Sequence, residues 1–157
     1  MAAHDFHIST RWRVEGGISE VAAILSDPER FPDWWGQVYL GIRVLDRGDA
    51  QGLGSRVAVH SKGWLPYHLN WEGTLAEDQR PHRWVIEATG DLTGRGIWTL
   101  RQDGQWAIID YDWRVRADRP LFRALAPLVF PVFAWNHRWA MARGEEGLRR
   151  ELIRRRG

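Results

Sequence analysis

Two side chains that could transfer a proton or hydrogen-bond a ligand, His137 and Tyr111, fall on predicted apolar faces, His137 on a helix and Tyr111 on a strand. His137 belongs to a set spaced by three or four residues, which places its members on one helical face: Phe133, His137, Met141, Gly144, Leu148 and Leu152. Because the ordinary pKa of imidazole is about 6.5, His137 could donate to a ligand carbonyl or act as a general acid or base. A lone histidine on an apolar face is more often a packed core residue, and both interpretations stay open.

Tyr111 lies in an alternating segment, 106–115, that follows an Asp103-Gly104 pair. Such a pair between two alternating segments is typical of a two-residue hairpin turn, because glycine tolerates a positive φ. Pairing outward from this turn predicts the partners Trp98 with Ile109, Gly96 with Tyr111, Gly94 with Trp113, and, on the other face, Arg95 with Asp112. Rings above glycines either lie flat on bare backbone or leave room for a ligand.

Other kinds of site find no support in the sequence. The chain has no Cys, no His-Glu-x-x-His motif, no dinucleotide-binding glycine motif and no Gly-x-Ser-x-Gly elbow. Asp110 and Asp112 fall on the face opposite Tyr111, so they are not interpreted as a catalytic pair. We therefore expect no metal and no cofactor.

Composition limits the classes of partner. The chain of 157 residues carries 11 Trp and 44% hydrophobic residues, and its net charge of +2 gives no indication of nucleic-acid binding. No signal peptide is recognisable at the start, so the cytoplasm is the expected location. The apolar stretch 121–135 contains Arg123, Pro127 and Pro131 and falls short of the ~20 residues that a membrane span needs. We expect no stable membrane insertion, and the oligomeric state is left open.

The elements that must position these residues follow from periodicity. Alternation predicts seven strands, over 6–14, 38–45, 56–62, 69–75, 84–89, 94–100 and 106–115. A helix over 18–25 and a second short helix, with Asp27 as its cap and Pro28 in first position, follow strand one. From Pro120 we expect a helical tail that Pro127 and Pro131 disturb, continuing from 132 to about 155. Strands five and six are expected to pair Gly90 with Gly94, Ala88 with Gly96, Ile86 with Trp98 and Trp84 with Leu100.

This order predicts one α+β domain over residues 1–157, a helix-grip fold in which a curved, antiparallel, seven-stranded sheet and a long C-terminal helix enclose a cavity. At this level the sequence resembles the START-like, or Bet v 1-like (SRPBCC), superfamily, and within it the bacterial polyketide cyclase/dehydrase and lipid-transport group. The resemblance covers nearly the whole chain, and the segments that carry it are 27–35, 94–98, 111–115 and 135–148.

The resemblance implies a lipid-like or aromatic polyketide-like ligand, and the apolar face itself predicts an interior that holds a small hydrophobic molecule. The residues expected to line the site are Trp71, Trp84, Trp98, Tyr111, Trp113, Phe133, His137 and Met141. One alternative is a metal-independent cyclase or dehydratase in which His137 or Tyr111 handles protons. Another is a non-enzymatic interaction module, of a chaperone-type or quinone-associated kind, that docks through an exposed Trp34-Trp35 patch.

Overall fold

The computed structural model describes residues 5–64, 68–117 and 120–157, and it describes the side chains of these residues except Asp5 and 117–130. The elements are, in order, β1 (Asp5–Glu15), α1 (Ile18–Leu25), a 3₁₀ turn (Pro28–Arg30), α2 (Phe31–Trp34), β2 (Tyr39–Asp46), β3 (Arg56–Lys62), β4 (His68–Gln79), β5 (Arg83–Gly90), β6 (Leu92–Asp103), β7 (Trp106–Ala117) and α3 (Pro120–Arg156). The predicted order of elements is confirmed. Asp27 precedes the 3₁₀ turn as expected, but its side chain makes no capping hydrogen bond.

The strands form one antiparallel sheet in the order β1-β7-β6-β5-β4-β3-β2, so β1 and β2 are its two edges and the sheet does not close. One face carries the buried side chains and is covered by α3 and the short helices, which confirms the predicted helix-grip architecture. Within the described residues, no helix has the length and apolar character required to cross a membrane.

The exposed edge of β1 is covered by side chains from α3. The backbone N–H of Arg13 donates to the Glu145 carboxylate over 2.9 Å, and Arg149 donates to the Arg13 carbonyl over 2.9 Å. Arg156 donates to the carbonyl of Glu15 over 3.1 Å. Because these side chains occupy backbone groups of an edge strand, they anchor the helix and protect that edge from pairing with another chain.

The predicted register of the β6–β7 hairpin is wrong by two residues. The turn residues are Gly104 and Gln105, and the observed pairs are Trp98 with Tyr111, Gly96 with Trp113, Gly94 with Val115, and Arg95 with Arg114. Gly104 has φ 61° and occupies the first central position, so the turn needs only one residue with positive φ. The predicted turn would have required a positive φ at Asp103 as well. A shift of two residues leaves every side chain on its predicted face.

The β5–β6 pairing is also displaced by two residues. Its observed pairs are Ala88 with Gly94, Ile86 with Gly96 and Trp84 with Trp98. Gly90 instead pairs with Trp71 of β4, and the N–H of Asp91 donates to the carbonyl of Asn70. The end of β5 therefore stays paired with β4 as far as Gly90, whereas its pairing with β6 already ends at Ala88.

The predicted disturbance of the C-terminal helix is not observed, because α3 continues through Pro127 and Pro131. Each proline removes one backbone donor. The two missing N–H groups are four residues apart and therefore lie on one side of the helix, where a gentle bend can accommodate both losses.

The predicted exposure of Trp34 and Trp35 is wrong, since they are only 5% and 3% exposed. Trp35 donates its indole N–H to the carbonyl of Ala140 over 2.9 Å. A Cβ atom at Gly144 would meet Trp35 and Trp12, and one at Gly147 would collide with the backbone of Trp34. These two glycines let α3 approach both tryptophans closely, which removes the predicted docking patch.

We predict that Gly144→Ala destabilises the protein. In an open helical position this substitution stabilises by about 1 kcal/mol, but here the new methyl group meets the rings of Trp12 and Trp35, and overpacking costs about 1–3 kcal/mol. Urea unfolding measures the change. The matched variant Ala142→Gly lies at an exposed position of the same helix, so it measures the effect of helix propensity alone. Its free energy of unfolding is expected to fall by about 1 kcal/mol. An increase in stability for Gly144→Ala would contradict the packing described here.

Candidate ligand-binding site

A row of stacked aromatic rings crosses the inner face of the sheet. Trp84, Trp98 and Tyr111 are direct partners on β5, β6 and β7, and their ring centroids are 6.1 Å and 4.1 Å apart at interplanar angles of 23° and 18°. Trp113, two residues along β7, continues the row at 5.7 Å from Tyr111. Trp71 of β4 approaches Trp113 at 5.9 Å. These rings form one continuous aromatic wall.

Gly96 lies beneath the ring of Tyr111. A Cβ atom at this position would collide with the Tyr111 phenol, so the ring lies directly on the backbone of β6. Of the two arrangements predicted for a ring above a glycine, the hairpin therefore has the one in which the ring lies flat on the backbone. The direct partner of Gly96 in the sheet is nevertheless Trp113. Whether there is also room for a ligand depends on the space between this wall and the helices.

That space forms two cavities. The smaller, of about 130 Å³, lies between α3 and the inner face around β7, and it is lined by Trp71, Tyr111, Trp113, Phe133, His137 and Met141 among others. The larger, of about 560 Å³, lies between the sheet, the 3₁₀ turn and the β2–β3 loop, with Trp71, Trp84, Trp98 and Tyr111 in its wall. Tyr39, Trp71 and Tyr111 line both cavities, so these three side chains form the partition between them.

All eight residues predicted for the site line one cavity or the other. Trp84 and Trp98 line the larger cavity, four residues line the smaller, and Trp71 and Tyr111 line both. The alternation of the strands and the spacing of the helix therefore placed all eight side chains in the walls of these two cavities. Their role in binding a ligand stays a prediction.

His137 lines the smaller cavity and carries a buried, unsatisfied nitrogen. Its Nε2 atom has no hydrogen-bond partner within the described part of the chain. Burial, assisted by the positive charge of Arg138, lowers the pKa of His137 from 6.5 to about 4. The imidazole is therefore neutral near pH 7, and its ring lies parallel to Trp113 at 6.4 Å. A neutral imidazole can donate from one nitrogen and accept at the other.

Tyr39 and Tyr111 bring two phenols to the partition. Burial raises the pKa of both hydroxyls well above the usual value, and the neighbouring Tyr39 raises the pKa of Tyr111 further. Both groups therefore stay protonated at neutral pH. They can donate hydrogen bonds to a ligand oxygen, but they are poorly suited to act as bases.

The sequence analysis missed four polar residues that line the smaller cavity, Tyr39, Ser61, Lys62 and Asn136. The hydroxyl of Ser61 accepts a hydrogen bond from the indole N–H of Trp71 over 3.1 Å, and Ser61 is buried. Asn136 is also buried and lies against Gly63, where a Cβ atom would collide with its amide. The alternation of β3 could have identified Ser61, because it shares the inward phase of Val59. Nothing in the sequence pattern indicated Asn136, which adjoins His137 but falls outside the predicted helix face.

The acidic residues of β7 lie on the outer face. Arg11 pairs with Asp110 over 2.7 Å, while His7 and Arg114 both pair with Asp112. Asp110 and Asp112 therefore form surface ion pairs, which agrees with the prediction that they are not a catalytic dyad. Across the residues for which side chains are described, no three His, Asp or Glu groups converge as metal ligands would.

Comparison with known proteins identifies the fold. No family model and no curated protein matches the sequence. A START superfamily protein from Mycobacterium smegmatis shares 13% identity, covering 94% of this chain and 97% of its own, with a TM-score of 0.76. The Zhui aromatase/cyclase from Streptomyces sp. R1128 shares 15% identity, and the match covers 98% of this chain and 97% of Zhui with a TM-score of 0.74. A norcoclaurine synthase point mutant from Thalictrum flavum shares 14% identity, and the match covers 98% of this chain and 97% of the synthase with a TM-score of 0.61. The chain therefore has the START-like, Bet v 1-like fold that the sequence resemblance predicted.

The low pKa of His137 predicts a specific loss of stability in acid. The unfolded chain protonates this imidazole near pH 6.5 and the folded chain only near pH 4, so its contribution weakens stability as pH falls between these values. Between about pH 7 and about pH 4.5, wild type should lose about 2–3 kcal/mol more than His137→Phe. Urea unfolding of both proteins at the two pH values measures this difference. The carboxylates are common to both proteins and cancel, so an identical pH dependence would contradict the buried, neutral state.

Proposed function

We propose that this protein binds a small, planar, hydrophobic molecule in the space between the sheet and the helices. The molecule would be lipid-like or would resemble an aromatic polyketide. The observation that carries the proposal is the aromatic wall, in which Trp84, Trp98 and Tyr111 border the larger cavity of about 560 Å³ and Trp113 borders the smaller one. Ligand cavities typically measure about 300–1,000 Å³ and combine apolar walls with a few polar groups.

The polar groups favour a ligand with a hydrogen-bonding end. His137, Ser61 and Asn136 line the smaller cavity, whereas the larger one has aromatic walls up to a charged rim that includes Arg80 and Glu29. An unpartnered buried nitrogen such as His137 Nε2 costs free energy until a partner binds it. A carbonyl or hydroxyl oxygen reaching past the Tyr39–Tyr111 partition would supply that partner, while the body of the molecule stacks on Trp98 and Trp84.

Filling the larger cavity should abolish binding. Val57 lines this cavity, and the adjacent Ala58 points to the other face of β3, so Val57→Phe and Ala58→Phe form a matched pair. Comparison of native and denatured masses detects a co-purified molecule, and titration with a fluorescent naphthalene probe measures affinity. We expect Val57→Phe to bind at least about tenfold more weakly than wild type and Ala58→Phe to bind equally. Failure of wild type to bind any probe or retain any molecule would contradict the proposal, as would equal binding by Val57→Phe.

A second candidate is a cyclase or dehydratase activity at the same site. It is favoured by the neutral His137 and the protonated Tyr111, whose rings are 6.4 Å apart beside the smaller cavity. In such a reaction His137 would take a proton from carbon next to a carbonyl, and Tyr111 would donate to the developing enolate oxygen. One protein of similar structure, Zhui, is an aromatase/cyclase, which is consistent with this chemistry.

Substitution of these two groups separates catalysis from binding. With a poly-β-ketone substrate, His137→Ala and Tyr111→Phe should each lower kcat by about 10²–10⁴-fold. The naphthalene probe should still bind to Tyr111→Phe, because that substitution removes one oxygen and keeps the ring. Turnover that is unchanged by both substitutions would exclude this mechanism and leave the binding proposal standing.

The interaction-module alternative has lost its structural support. It relied on an exposed Trp34-Trp35 patch, and both indoles are buried against α3. The presence of an aromatic-lined cavity favours ligand binding instead.

A further inference from the structure

We propose that the outward face of α3 around Trp135, together with Trp64, docks onto the surface of an anionic lipid bilayer. The inference concerns the outside of the molecule and does not depend on which molecule the cavities hold. The docking surface is defined here as Trp64, Val132, Trp135 and Arg138.

Two large aromatic side chains project together from this surface. Trp64 is 58% exposed and Trp135 is 47% exposed, and their rings meet edge-on with centroids 5.1 Å apart. Val132, one turn before Trp135, is 43% exposed. The exposure is unusual for this protein, in which the indoles of the core are almost completely buried: Trp12, Trp34, Trp35, Trp84, Trp98 and Trp113.

The helix around Trp135 is apolar on both sides. Phe133, His137 and Met141 face the smaller cavity, so the inward side is already used for packing. A surface helix normally turns charged and polar residues outward, whereas this one turns Val132 and Trp135 outward. A second apolar environment on the outer side would account for this pattern. Tryptophan is enriched at membrane–water interfaces because its ring is apolar and its N–H can stay hydrated.

The charge of the region selects an anionic surface. Residues 131–144 contain no Asp or Glu, and Arg138 is exposed on the same side of the helix as Trp135, whereas Arg143 pairs with Glu146 over 2.9 Å. Further along α3 the arginines have local acidic partners, as in the pairs of Glu151 with Arg154 and Arg155. A cationic, tryptophan-bearing surface is complementary to a bilayer that contains acidic headgroups.

Vesicle flotation tests this surface directly. Wild type is mixed with phosphatidylcholine vesicles with or without phosphatidylglycerol, and the bound fraction is measured after centrifugation. We expect binding to the phosphatidylglycerol vesicles, and a loss of at least about tenfold for the Trp64→Ala/Trp135→Ala double variant, because two indoles no longer leave water. Arg138→Gln should weaken binding about fivefold with acidic vesicles and leave any binding to neutral ones unchanged.

The matched control is Ile153→Ala, which removes an exposed apolar side chain, 68% accessible, near the other end of α3. It should bind vesicles as wild type does. Thermal unfolding verifies that the double variant stays folded, and its naphthalene-probe affinity, expected to be unchanged, separates this proposal from the cavity proposal. No flotation of wild type with acidic vesicles would overturn the inference, as would equal flotation of the double variant. A wild-type oligomer that the double variant dissociates, without vesicle binding, would assign the surface to a second copy of the chain and also overturn it.

Discussion

The width of the sheet relative to one helix is the constraint on which the interior depends. Seven strands about 4.8 Å apart span roughly 29 Å, whereas an α-helix with its side chains is roughly 10–12 Å across. One long helix cannot cover such a sheet. Here α3 covers the β1 side, held by hydrogen bonds from Glu145 and Arg149 to the backbone of Arg13. Toward its other end α3 reaches the end of β3, where Asn136 lies against Gly63, and the larger cavity occupies the remaining space between the sheet, the 3₁₀ turn and the β2–β3 loop.

The close approach of α3 at one end makes the hollow at the other end possible. Gly144 and Gly147 let the helix contact Trp12, Trp34 and Trp35 directly, which fills the interior near the helix C-terminus. Toward the N-terminal side, Phe133 and His137 stand further from the partition and the smaller cavity opens between them and Trp113. The same helix is therefore a packed wall along one part of its length and a cavity wall along another. Both glycines of α3, Gly144 and Gly147, lie in the closely packed part.

Periodicity was sufficient to predict the sheet and the aromatic side chains that line the cavities, because a strand has only two faces. The β6–β7 and β5–β6 registers were wrong by two residues, yet Trp84, Trp98, Tyr111 and Trp113 all lie on the predicted face. An even register error preserves the phase of every side chain. The spacing of α3 similarly predicted which of its residues face inward. Strand alternation and helix spacing depend only on local backbone geometry, so they can be recognised in a single sequence.

What the sequence could not supply depends on contacts between distant segments. The burial of Trp34 and Trp35 follows from two glycines more than a hundred residues away, and no local pattern around the tryptophans indicates it. The volume of the cavities depends on where α3 crosses the sheet, which periodicity does not define. Asn136 lines the smaller cavity through its contact with Gly63, which alternation cannot reveal. The sequence therefore predicted the aromatic lining of the cavities more readily than their polar lining.

The cavity-lining and the exposed side chains of α3 between 132 and 141 lie on opposite sides of the same helical turns. Phe133 and His137 line the smaller cavity, while Val132 and Trp135, each one or two residues away, are exposed on the opposite side. Gly63, which adjoins Trp64, lies against Asn136, so the end of β3 is in contact with the same turn of the helix. The proposed docking surface therefore adjoins the wall of the smaller cavity directly, at the turn of α3 that carries Asn136 and His137.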